Sequence, residues 1–296
     1  MLALPATALP RFPLLAVPAA ARRRSLNRVR LLANVFQQGV LPLIIVSDEY
    51  VTLETPTGPM RTHIARPVAP GRYPGIIFYS EIFQMTGPVR RMAAFLAGHG
   101  YIVASPEIYH EFEPAGTVLA YDKAGTDRGN ELKTTKTIAG YDGDTRAIIQ
   151  HLQSRPDCTS KIGAMGICIG GHLAFRAAME PEVLASACFY ATDIHKHSLG
   201  AGMNDNSLER SSHIKGELMM IWGRQDPHIP LEGRLKVLAR LNELGLRFSW
   251  HEVNGAHAFM RDEGPRYDPE LARSLYGLVL DLFHRKLGEG DVSSAS

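Results

Sequence analysis

The sequence predicts an α/β protein, an open, mostly parallel twisted sheet with helices on both faces. Three observations point there. Short β-rich runs alternate with helical stretches from residue 43 onward, several of the runs are apolar throughout, and 296 residues at 45% hydrophobic content suffice for one large core.

Taken in order, "LIIVSDEYVTLE" and "MRTHIARP" pair as strands across the turn "TPTG". "GIIFYS" and "YIVAS" are continuous apolar runs of the kind buried on both faces, separated by a helix, "GPVRRMAAFLAGHG", that stops at glycine. A helix at "DTRAIIQHLQSR", a strand at "KIGAMGI" and a helix from "GGHLAFRAAM" follow. The strands "SACFYA", "ELMMIW" and "RFSWHEV", the helix "LEGRLKVLARLNELG" and the final helix "PELARSLYGLVLDLFHRKLG" complete one domain over residues 43–288. Trp222 and Trp250 fall within strands and are assigned to the core. Residues 110–140 and 195–215 break the rhythm. Both leave the C-terminal ends of strands, where open α/β sheets bind ligands, so they are expected to be loops that cover a site.

The net charge of +2 hides an asymmetry. Residues 1–47 carry six of the 32 basic side chains, all arginine, and no acid, so 26 basic residues face 30 acidic ones in the remainder. Such a body has no electrostatic reason to bind nucleic acid. Residues 1–42 are expected to form an N-terminal extension. Their proline-free "AAARRRSLNRVRLLANVFQ" can fold as a basic amphipathic helix, as organelle transit segments do, or stay a solvated extension; the sequence leaves both open. No apolar run reaches the roughly 18 residues of a spanning helix. Cys158, Cys168 and Cys188 can neither pair completely nor form a zinc array, which implies a reducing, intracellular compartment: cytoplasm, or mitochondrion or plastid if residues 1–40 are a transit peptide. Residues 289–296 are expected to be a disordered tail, and the protein a monomer or weak dimer.

Chemistry enters at "GAMGICIGGHL". Cys168 lies between a strand and a helix, and Gly166 and Gly170 lack the β-carbons that would clash where the two approach, so the residue between them can be held strained and exposed. The helix start adds N–H groups and a positive dipole end near the sulfur. An inert, buried cysteine is the alternative. Downstream, Asp226 in "GRQDPHIP" follows one strand and His257 in "NGAHAF" follows the next, giving the chain order nucleophile, acid, histidine of the α/β-hydrolase catalytic set. In that set His257 is the base and Asp226 orients it, with Asp193 as a second possible acid. Glu81, in "FYSEIFQMTG", follows a buried strand where part of an oxyanion hole is built; the N–H of Ile82 would join that of Ile169 there. His195 and His197 are too sparse for a metal site.

With "SEIFQMTGPVRRMAAFLAGHGYIVASPEIY", these motifs resemble the dienelactone hydrolase family of α/β-hydrolases, over about residues 43–288. The resemblance implies a Cys168 nucleophile with Asp226 and His257, a Glu81 that helps activate the thiol when substrate arrives, an oxyanion hole from Ile82 and Ile169, and hydrolysis of small-molecule lactones or esters through a covalent acyl-enzyme, with no metal or organic cofactor. Family members that act on carboxylated lactones grip the carboxylate with two arginines. One matches Arg261; the other position is Glu111 here, which puts the dienelactone substrate itself in doubt. A general carboxylesterase or thioesterase, and a non-catalytic ligand-binding protein of the same fold, are the alternatives.

Overall fold

The computed structural model describes residues 45–288; the basic stretch 1–42 and the tail 289–296 lie outside them. Eight strands form one sheet in the order β1-β2-β4-β3-β5-β6-β7-β8. Strands β1 (Ile45–Thr55) and β2 (Gly58–Pro67) make an antiparallel hairpin whose turn is tied by the Thr55 hydroxyl, which accepts from the Thr57 N–H and donates to the Gly58 carbonyl. β2 also runs antiparallel to β4 (Ile102–Pro106). The others, β3 (Tyr73–Tyr79), β5 (Cys158–Ile167), β6 (Val183–Phe189), β7 (Glu217–Gly223) and β8 (Phe248–Val253), continue in parallel. β4 lies on one side of β3 and β5 on the other, so strand order reverses at β3. The crevice beyond the C-terminal ends of β3 and β5 is therefore the switch point where such sheets place ligands.

Every residue of β3, β4 and β7 is buried, as expected of strands covered on both faces. Helix α1 (Gly87–Gly98) follows β3, and α2 (Lys123–Thr135) and α3 (Ile138–Ser154) follow β4. Beyond β5 come α4 (Ile169–Ala177), the single turn α5 (Ser207–Arg210), α6 (Leu231–Glu243) and α7 (Pro269–Leu287). Gly75 on β3 faces Leu152 of α3. Gly163 on β5 pairs with Ile76, hence points to the opposite face, and meets Phe283 and Leu287 of α7. The two helices thus cover opposite faces of the same central strands, and each fully buried Leu or Phe contributes about 1.5–3 kcal/mol.

Four expectations change. Residues 110–140 are not a bare loop, because they contain α2. Asp122 caps it by accepting from the Gly125 N–H at 2.8 Å, and Gly129 lets it close on the chain at Ile82, whose carbonyl oxygen would lie 2.8 Å from any β-carbon there. α3 begins at Ile138, well before the "DTRAIIQHLQSR" run, with Gly143 packed against the Pro56 ring. Trp222 is buried, but Trp250 sits half-buried on the edge strand β8, its ring 5.2 Å from that of Trp222. Residues 195–215 carry short helical turns pinned to α4 by a buried His172 Nε2 to Ser207 Oγ hydrogen bond of 2.7 Å.

Candidate active site

Cys168 stands between β5 and α4 with φ +60° and ψ −123°, a conformation that L-residues rarely adopt. The surrounding chain holds it there. Its N–H donates to the Phe189 carbonyl at 3.2 Å, and its own carbonyl accepts from Gly171 and Thr192. A β-carbon at Gly166 would lie 1.9 Å from the Gly170 carbonyl oxygen, and one at Gly170 would lie 2.2 Å from that of Tyr79. The glycine spacing is thus a requirement of backbone approach. Cys168 is half-buried, whereas Cys158 and Cys188 are buried in the core; burial pushes the thiol of Cys188 up to about 12.

His257 follows β8, and its Nδ1 is 2.7 Å from Oδ2 of Asp226, which follows β7. Asp226 is buried behind the imidazole, its Oδ1 accepting from the His228 N–H at 2.8 Å. Burial opposes the charged form of His257, but the neighbouring Cys168 sulfur and Asp226 outweigh it and lift the pKa to about 10. Asp193, the other candidate acid, also reaches the crevice, but its carboxylate is engaged by Lys133 at 2.8 Å and Ser198 at 3.0 Å. Asp226, His228 and His257 offer ligand atoms within 4.8 Å of one another, the arrangement among the described residues closest to a metal cluster; two of the three already bond each other.

Glu81, at the end of β3, is 2% exposed. Burial raises its pKa, opposed by Arg261, His257 and a hydrogen bond from Tyr121. Arg261 Nη1 is 3.6 Å from Glu81 Oε2, and its guanidinium lies 4.2 Å from the centre of the Tyr121 ring. Ile82 and Ile169 flank this carboxylate and the sulfur in sequence, and among the described residues no turn or loop carbonyl takes a hydrogen bond from either N–H.

Cys168, His257, Glu81, Ile82 and Arg261 border one cavity of about 470 Å³. Glu111 does not line it. The chain turns back after β4, with the Phe112 N–H bonded to the Tyr109 carbonyl, and delivers the Glu111 carboxylate to within 2.7 Å of Nζ of Lys136, a fully buried lysine that also bonds Asp144. The acid predicted to face the thiol is instead a strut between the β4 loop and α3. Sequence reading missed the residues that take its place on the cavity wall: Tyr121, Lys133, Lys196, His228 and Arg266. One signal was available, since Lys123, Thr126, Asn130 and Lys133 repeat at helical spacing and form the stripe that α2 turns to the cavity.

A family model described as "Dienelactone hydrolase family" matches residues 60–287. A Saccharomyces cerevisiae protein named "Putative carboxymethylenebutenolidase" is 40% identical over 256 residues, 82% of this chain and 93% of the relative. A Pseudomonas carboxymethylenebutenolidase is 26% identical over 236 residues, 77% of this chain and 91% of its own. Among solved structures, one titled "Putative Dienelactone Hydrolase" from Klebsiella pneumoniae superposes with a TM-score of 0.71 at 18% identity, over 82% of this chain and 99% of that one, a likeness of fold. The chain belongs to the dienelactone hydrolase family, hydrolases of ester and lactone bonds built on the α/β-hydrolase fold.

Proposed function

We propose that this chain hydrolyses small lactones or esters by a Cys168, His257, Asp226 triad through a covalent acyl-enzyme. The observation that carries the reading is that the strained Cys168 and His257 line one cavity, with Asp226 2.7 Å behind the imidazole.

In the first step the thiol proton passes to Glu81, and the Cys168 thiolate, beside the imidazolium of His257 whose charge Asp226 offsets, attacks the carbonyl carbon. The oxyanion takes hydrogen bonds from the N–H groups of Ile82 and Ile169, the second at the N-terminus of α4 where no helical carbonyl competes for it. The C–O bond then breaks, the leaving oxygen takes the proton from His257, and a thioester remains on Cys168. Water attacks the thioester with His257 as base, the acid is released, and the departing thiolate takes its proton back from Glu81. Glu81 assists at the start. A substrate group that engages Arg261 loosens the cation from Glu81, and the buried carboxylate, disfavoured as an anion, takes the thiol proton.

The test pairs a chromogenic aryl ester with an alkylating agent. Stoichiometric alkylation at Cys168 should abolish turnover of the ester. Turnover that survives complete alkylation of Cys168, or no turnover of any ester or lactone in a panel, contradicts the reading.

A further inference from the structure

The cavity is the size of sites that hold drug-sized ligands, more than a bare five-membered lactone fills. Its wall is strongly cationic. Lys123, Lys133, Lys196, Arg261 and Arg266 line it, against the acids Glu81, Asp122 and Asp193. Most of these charges are spoken for. Asp193 bonds Lys133, Asp122 caps α2, Lys123 pairs with Asp127, and Arg261 lies over Glu81. Lys196 and Arg266 are left, both exposed and without an ion pair among the described residues. They come from different segments, the turn after β6 and the loop before α7, and both lie near enough to His228 to disfavour its protonation, after burial and His257. His228 itself packs edge-on against His257, ring centres 4.6 Å apart, and Lys196 and Arg266 line the same cavity as these two rings.

Resting on the hydrolase reading above, we propose that the substrate is an ester or lactone larger than a single five-membered ring that carries an anionic group remote from the reacting carbonyl, and that Lys196 and Arg266 select it. The polar stripe of α2, Thr126 and Asn130, solvates the part of the substrate between the two ends. The pair is separate from Arg261, which lies against Glu81 until substrate arrives, and it supplies attraction where Glu111, tied to Lys136, supplies no repulsion. Carboxylate and phosphate groups share the charge and oxygen acceptors that a lysine and an arginine bind.

Three p-nitrophenyl esters of matched chain length test this: hexanoate, adipate and 5-phosphonopentanoate, which differ only in a neutral, carboxylate or phosphonate end. The full chain should show kcat/KM for at least one anionic ester above that for hexanoate by about threefold or more, a modest factor because the two cations are exposed. Added salt should shrink that ratio. In the double variant Lys196→Gln/Arg266→Gln the ratio should fall to near one. The head group with the larger ratio identifies the group selected. Turnover of hexanoate with no anionic preference, or a preference the double variant retains, overturns this inference and leaves the hydrolase reading standing. No turnover of any of the three overturns both.

Discussion

Arg261 Nη1 lies 3.6 Å from Glu81 Oε2, and that pair joins the loop after β8 to the end of β3 in the wall of the cavity. The carboxylate is almost fully buried, and Arg261 is the largest of the influences that keep it ionised.

Replacing Arg261 by alanine should therefore leave a buried acid without its cation and destabilise the fold by on the order of 3 kcal/mol at pH 8. The sign of the pH effect follows from Glu81. Its folded pKa lies above the unfolded value, and loss of Arg261 raises it further, so the penalty appears as pH rises above the unfolded carboxyl range and is small near pH 4. Urea denaturation of Arg261→Ala and of Glu81→Gln/Arg261→Ala at both pH values checks this. The double variant should recover most of the loss at pH 8.

His257 gives a second, opposite-signed test. Its pKa is raised from an ordinary 6.5 to about 10 in the folded protein, so its protonation stabilises the fold fully below pH 6.5, and that contribution fades as pH climbs toward 10. The stability advantage of the parent over His257→Gln should shrink by about 1.4 kcal/mol per pH unit across the steep part of that window. An advantage that is constant from pH 6.5 to 10 contradicts a charged His257 between Cys168 and Asp226.

Much of this site was legible before the fold was known, and the reason is local. Gly166, Cys168 and Gly170 encode a backbone approach that leaves few alternatives, and Asp226 and His257 each stand just past a strand that the sequence predicts, an apolar run before Asp226 and an alternating one before His257. α2 was not legible, because "KAGTDRGNELKTT" has two glycines and hardly an apolar side chain; Gly125 and Gly129 serve contacts with Ala120 and Ile82 that only the folded chain brings together. Glu111 was misplaced for a related reason. Its position in the chain matched the cavity, but the direction of its side chain is set by the turn after β4 and by the buried Lys136, neither of which has a local signature.

The close approach at the nucleophile turn predicts intolerance of a single methyl group. Gly170→Ala places a β-carbon against the rigid Tyr79 carbonyl rather than a movable side chain, so it should cost about 3 kcal/mol or more. Chemical denaturation measures this directly, with Gly277→Ala, where a β-carbon meets nothing within 4 Å, as the control that should change little.

Asp226→Asn keeps the shape of the acid but removes its charge and can present an N–H to Nδ1 of His257. Turnover of an aryl ester should fall on the order of 10³- to 10⁴-fold, with most of the loss in kcat. The corresponding change at the other acid, Asp193→Asn, removes a partner of Lys133 and should leave kcat within about threefold.

The most direct measurement is rapid-quench peptide mass spectrometry during turnover of an activated aryl ester, whose good leaving group makes release of the acid the slow step. The acyl mass should appear on Cys168, at the rate of the initial burst of phenolate and in proportion to enzyme. Acyl mass on another residue, or a full burst while Cys168 stays unmodified, would contradict the thiol as the attacking group.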